Sequence, residues 1–223
     1  NTVFGYLAGQ NLTTNGDHNA LFGHGAGDAL TTGTENTLIG KNAGGAMTIS
    51  RYSTAVGIGA LGAEDVGDQS TAVGYVALGL QNSDSNNEAT RNTGVGHQAG
   101  YYNVTGQDNT YIGYKVGNGA SGQSNSENTG VGSQALEDIT TGGKNVAIGK
   151  YALNSMTTGH ENVAIGRNAG VASENVGYAV IIGSDACAAN ITSDADCTIA
   201  IGKSSLAALT TGGGNISIGY QAM

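Results

Sequence analysis

Several residue groups in this 223-residue chain have the types and spacing that chemistry requires. Glu64 with Asp65 and Glu137 with Asp138 are adjacent carboxylate pairs, and stacked across a solenoid they could serve as acid and base. The commoner role of such pairs is exposed turn charge, and no carboxylate cluster in a cleft can be named. Gly57-Ile58-Gly59-Ala60-Leu61-Gly62 spells the dinucleotide-binding fingerprint, and Gly202-Lys203-Ser204 resembles the end of a phosphate loop. Neither sits between a strand and a helix-forming stretch, and the loop's first glycine falls on Cys197. His18, His24, His97 and His160 lack ligand spacing, and the two cysteines lack the short interval of a zinc site. No catalytic residue, cofactor site or metal site is therefore expected. Asn-x-Ser/Thr sequons at Asn11, Asn103, Asn190 and Asn215 are what repeated Asn and Thr generate by chance.

What defeats these motifs is the element that carries them. The stretch Asn145-Val146-Ala147-Ile148-Gly149-Lys150-Tyr151-Ala152-Leu153 returns 17 residues later from Asn162 to Gly170. Its glycine recurs as Gly5, Gly23, Gly40, Gly57, Gly74, Gly96, Gly113, Gly132, Gly149, Gly166, Gly183, Gly202 and Gly219, thirteen anchors mostly 17 residues apart. Helical repeats need about 33 to 47 residues, so this period suits one coil of a β-solenoid. The expectation is an all-β, parallel β-solenoid of thirteen coils forming a single domain over 1–223, cut from a longer fibre chain.

Composition agrees and excludes other classes. There are 39 glycines, no proline, no tryptophan and 39% apolar residues at fixed places, so the chain is expected to be ordered. Net charge is −9, with eight scattered Lys plus Arg. That offers no basic footprint for nucleic acid or an anionic membrane. No apolar run reaches the roughly 18 residues of a membrane span.

Columns assign positions. Before each anchor stand Phe4, Phe22, Ile39, Val56, Val73, Val95, Ile112, Val131, Ile148, Ile165, Ile182, Ile201 and Ile218, read as the core column. Two residues earlier, on the same strand face, Thr37, Thr54, Thr71, Thr93, Thr110 and Thr129 give way to Val146, Val163, Val180, Ile199 and Ile216. The column between them points to the opposite face and is small and uncharged, with Ala55, Ala72, Ala147, Ala164 and Ala200. A strand apolar on both faces is covered on both, so these alanines are assigned to an interface with other copies.

Asn or Ser opens eleven coils and Leu-Thr-Thr-Gly links several, with acids concentrated in these solvent-facing linkers. Insertions at 81–91, 117–127 and 187–197 are expected to form loops on one face. Cys187 and Cys197 bracket the third, and a disulfide there would be worth roughly 2 to 4 kcal/mol and imply an oxidising setting. The alternative is two free thiols. Directly after the anchors, Tyr6, His24, Tyr75, His97, Tyr114 and Tyr220 join Lys41, Lys150, Arg167 and Lys203 in an aromatic and cationic row. This row is the candidate surface for recognition, against the plainer reading of a wet strand edge.

Ser70-Thr71-Ala72-Val73-Gly74-Tyr75-Val76-Ala77-Leu78, with its Thr-Thr-Gly linkers, resembles the head repeats of YadA-type trimeric autotransporter adhesins and repeats in phage tail fibres. The resemblance covers essentially the whole chain. It implies a left-handed β-roll assembled as a homotrimer, extracellular, on a virion or bacterial cell surface. It further implies a glycan or protein receptor as partner. A self-stacking filament subunit, an ice-binding surface and a glycan-active solenoid are the alternatives. The ice reading is disfavoured here because the Thr column shares the expected core face.

Overall fold

The structure of the protein is a computed structural model that describes residues 1–86 and 88–223. It is all-β, with thirteen three-residue strands, one before each anchor glycine, and no α-helix among the described residues. The chain falls into two compact units. Asn1–Asn109 holds β1 (Thr2–Phe4), β2 (Ala20–Phe22), β3 (Thr37–Ile39), β4 (Thr54–Val56), β5 (Thr71–Val73) and β6 (Thr93–Val95). Thr110–Met223 holds β7 (Thr110–Ile112), β8 (Thr129–Val131), β9 (Val146–Ile148), β10 (Val163–Ile165), β11 (Val180–Ile182), β12 (Ile199–Ile201) and β13 (Ile216–Ile218). Within each unit every strand pairs in parallel with the next, and equivalent repeat positions stand opposite each other. The solenoid of about 17 residues per coil is thus present in both.

One coil shows why the sequence turns where it does. After β10, Gly166 takes φ +134°, and a Cβ there would sit 2.7 Å from the carbonyl carbon of Gly183 in the next coil. Only glycine tolerates both the angle and the stacked approach. Asn168 at φ 56° and Gly170 at φ 59° then turn the chain through left-handed backbone, with Ala169 buried between them. The linker brings Val176 back to the interior. Bonds between coils repeat this geometry: Gly166 N–H donates to Ile148 C=O at 2.8 Å and Asn168 N–H to Lys150 C=O at 2.9 Å.

The two strand faces are the reverse of the expectation. None of the expected core column, Phe4, Phe22, Ile39, Val56, Val73, Val95, Ile112, Val131, Ile148, Ile165, Ile182, Ile201 and Ile218, is buried. The expected interface residues Ala55, Ala72, Ala147, Ala164 and Ala200 are instead fully buried inside their own coils. The reason is steric. A coil of this size is thin, and the middle strand residue faces the residue four places after the anchor, so bulk is shared between the two. Leu38 stands with Gly44 and Tyr111 with Gly117, whereas Ala55 stands with Leu61, Ala72 with Leu78, Ala147 with Leu153 and Ala200 with Leu206. A Cβ added at Gly44 would lie 2.9 Å from the Leu38 side chain, and one at Gly117 would strike the Tyr111 ring. Where Ala stands with Leu the bulk sits on the far wall, while Ala164 stands with Gly170, at which an added Cβ would meet the side chains of Leu153 and Ile181 from the adjacent coils.

The opening Asn residues share that inner face. Asn145 is fully buried. Its Oδ1 accepts from Asn162 N–H at 3.1 Å and from Asn162 Nδ2 at 2.9 Å, while its own Nδ2 donates to Gly159 C=O at 2.9 Å. Asn128 and Asn162 repeat the pattern on either side, as do Asn19 and Asn36 in the first unit. Stacked amides thereby satisfy the interior polar groups that a thin coil cannot hydrate. Where Ser70 interrupts the ladder, Gln81 replaces the missing amide and Asn92 Nδ2 donates to its Oε1 at 2.9 Å. The insertion at 81–91 therefore begins inside the coil. Its Asn87 lies outside the described residues.

Candidate interaction surface

Outward positions alternate along each strand. In the coil of β10, Glu161, Val163, Ile165 and Arg167 face out, and the buried Asn162 and Ala164 lie between them. Stacked in the second unit, these positions make four rows. The two central ones are wholly apolar or threonine: Thr110, Thr129, Val146, Val163, Val180, Ile199 and Ile216 beside Ile112, Val131, Ile148, Ile165, Ile182, Ile201 and Ile218. Neither carries a charge. Ile112 is 41% exposed, Ile148 39% and Ile165 37% in the single chain. The first unit repeats the stripe with Thr37, Thr54, Thr71 and Thr93 beside Ile39, Val56, Val73 and Val95.

Polar rows flank the stripe. The row at the strand ends is the aromatic and cationic one singled out in the sequence. In the first unit Tyr6 and His24 lie 5.4 Å apart at 38°, and Tyr75 and His97 stack at 5.0 Å and 23°. Stacking along the axis turns ring faces toward each other and leaves edges outward. Tyr114 has the Lys115 ammonium 5.8 Å from its ring centre, and Tyr220 is exposed.

The row at the strand starts escaped the sequence reading. Glu35, Tyr52, Arg91, Asp108, Glu127, Lys144, Glu161, Tyr178 and Cys197 all hold φ between 51° and 61° immediately before the position of the ladder Asn. Each looked like linker, yet the backbone angle brings it back onto the outer face. Ion pairs join coils here: Arg91 bonds Asp108 bidentately at 2.5 and 2.7 Å. These guanidinium bonds hold the Asp108 carboxyl below the usual carboxylate range. Arg167, in the opposite row, pairs with Asp185 at 2.8 Å. The Asp185 carboxyl is likewise held low, chiefly by hydrogen bonds from Asn168 and Ser184.

Cys187 and Cys197 are both free, so the disulfide is not formed. Cys187 occupies the inner place that Leu153 and Leu206 take in their coils, and burial pushes its thiol up to about 11. Cys197 sits on the outward starting row. The two belong to opposite sides of the wall. The segment between them carries a short 3-10 turn, Ser193–Ala195.

The carboxylate pairs do not form an acid and base site. Glu64 is buried and saturated by donors, among them Gly67 N–H at 2.7 Å and Gln81 Nε2 at 2.7 Å. Asp138 lies beside Glu137, and its pKa is raised by burial and then by that neighbour. Glu137 accepts from Gln134 and Asn154 and lies 3.9 Å from Lys115. No group of three or more His, Cys, Asp or Glu side chains among the described residues is placed to hold a metal ion. No helix among them is long and apolar enough to cross a membrane. No protein-family model, curated protein or solved structure matches the chain.

Proposed function

We propose that this chain is a non-catalytic fibre segment whose copies associate as a homotrimer of left-handed β-rolls through the outer face of the strands. In this reading it is an extracellular shaft that supports attachment of a virion or bacterium to a cell-surface glycan or protein. The observation that carries it is the uncharged stripe of two columns, continued through every coil of each unit and left exposed by the single chain. An apolar strip of that extent rimmed by polar residues has the anatomy of a protein interface. Stacking of identical coils gives the stiffness that a shaft requires. The test is mass in solution: three chains of 22.1 kDa are expected, and a stable monomer overturns the reading.

One observation favours a second reading. Thr37, Thr54, Thr71 and Thr93 stand on the exposed face, in a column spaced about 4.8 Å and beside a second column of branched apolar residues. Methyl and hydroxyl groups repeated at such intervals are what a lattice such as ice would meet. Thermal hysteresis from a monomeric form supports this reading, and its absence removes it.

A further inference from the structure

Glu64 is a carboxylate without a cation in the interior of the first unit. It is 1% exposed, and among the described residues no ion pair reaches it. Hydrogen-bond donors take the place of a cation. Oε1 accepts from Gly67 N–H at 2.7 Å and from Val66 and Ser83 N–H at 3.3 Å each, and Oε2 accepts from Gln81 Nε2 at 2.7 Å and Ser83 Oγ at 3.2 Å. Gln81 and Ser83 belong to the start of the insertion at 81–91, and they fit closely: a Cβ on Gly67 would lie 2.0 Å from Ser83 Oγ. The amides behind Gln81 all point one way. Asn109 Nδ2 donates to Asn92 Oδ1 at 3.1 Å, Asn92 Nδ2 to Gln81 Oε1 at 2.9 Å, and Gln81 Nε2 to Glu64. An ionised carboxylate only accepts, so it can end such a row, whereas a protonated acid sets a hydrogen of its own against donors. Turning Gln81 over to receive that hydrogen would set its NH2 against that of Asn92, which is held in place by Gly106 C=O at 2.6 Å. Of the five donors only the Ser83 hydroxyl can turn to accept.

We infer that Glu64 is an acid-sensitive latch, whose ionised carboxylate holds Gln81 and Ser83 inside the coil and whose protonation releases them. The hold is present while Glu64 is ionised and is lost as falling pH protonates it. It operates within one chain, independently of any association. The other titratable groups on the packed segments are Asp65 in the same turn, Asp84 and Glu88 in the insertion, and Asp68. Asp84 is exposed, and Glu88 accepts from the Gln107 amide. Asp68 is paired with Arg51 at 2.9 Å, and its C=O accepts from the Thr90 hydroxyl, to which Gln81 Nε2 donates at 3.1 Å. Release of Gln81 leaves Asn92 Nδ2 without its side-chain acceptor, so opening spreads from the insertion into the amide ladder.

Amide hydrogen exchange on the whole chain, corrected for the intrinsic effect of pH, tests the latch. The Gly67 and Ser83 amides report on it, and the Ala20 amide, bonded to Asn36 C=O at 2.8 Å in the same unit, is the reference. Between about pH 7 and about pH 3, protection at Gly67 and Ser83 is expected to fall at least about tenfold while Ala20 keeps its own. Unchanged protection at Gly67 and Ser83 overturns the inference, and so does equal loss at Ala20, which means that the unit melts as a whole. Glu64→Gln is expected to show the acid level of protection already at neutral pH, and protection like that of the wild type in this variant overturns the inference. Exchanging the two groups, Glu64→Gln with Gln81→Glu, puts an amide donor back against a carboxylate and is expected to restore protection at neutral pH; a double variant no better protected than Glu64→Gln overturns the inference. Asp68→Asn is expected to leave the acid response of Ser83 in place, and its disappearance assigns that response to Asp68 and overturns the latch.

Discussion

Asn145 and its equivalents show how much one side chain decides in so thin a wall. Replacing Asn145 by Ala removes the acceptor of Asn162 N–H and the donor to Gly159 C=O, both inside the coil. Two orphaned backbone groups at about 1 to 3 kcal/mol each should lower stability by about 3 kcal/mol, read as a shift of the urea midpoint. Gly166→Ala should cost more, because it combines φ +134° with a backbone clash. The Arg91 and Asp108 pair sets a pH dependence. Asp108 has a lowered folded pKa, so the stability it confers is present above the unfolded carboxylate value of about 4 and lost as pH falls through the folded value. Asp108→Asn should remove that part of the acid profile and leave the neutral range nearly flat. The ladder was legible in the sequence only as a turn preference, because nothing in a row of Asn residues tells a solvated turn from an amide stacked indoors. The period-2 relation between Asn145 and Ala147 held the clue.

A coil is a balance of two walls. The strand positions and their parallel pairing followed from the glycine period and β-branched columns, which is why every strand falls before its anchor. Which face pointed in did not follow, since both were apolar, and size alone favoured Ile148 over Ala147 as core. The signal lay in coils such as those of Leu38 with Gly44 and Ala147 with Leu153, where positions six residues apart have reciprocal sizes that hydrophobic periodicity does not register. The balance can be tested. Leu153→Ala should cost about 2 to 5 kcal/mol by the cavity it opens, and Ala147→Leu should overpack by about 1 to 3 kcal/mol. Combined, they move bulk from one wall to the other and should cost less than the sum of the two. A double-mutant cycle in urea reads the coupling, and simple additivity would mean that the walls do not meet. The free cysteines belong to the same lesson: a ten-residue interval suggested a bond, but column position sends Cys187 inward and Cys197 outward.

For the molecule as a whole, exchanging the two faces strengthens the argument for association. An alanine column offers little area to a partner, whereas branched residues and threonines on an exposed wall offer a continuous apolar strip. Burial of such a strip is worth roughly 25 cal/mol per Å² of apolar surface removed from water, repeated at every coil. It follows that substituting Ile148, Ile165 and Ile182 together by Lys should abolish assembly and leave each coil's interior untouched. Circular dichroism of the triple variant should keep its β signal while its mass falls to one chain. In the proposed assembly the aromatic and cationic row, the candidate recognition surface of the sequence, borders that contact. The most direct measurement is the mass of the unmodified chain in solution by light scattering across a range of concentrations. Three times 22.1 kDa is the predicted result, and a particle of 22.1 kDa that persists at high concentration would contradict the account.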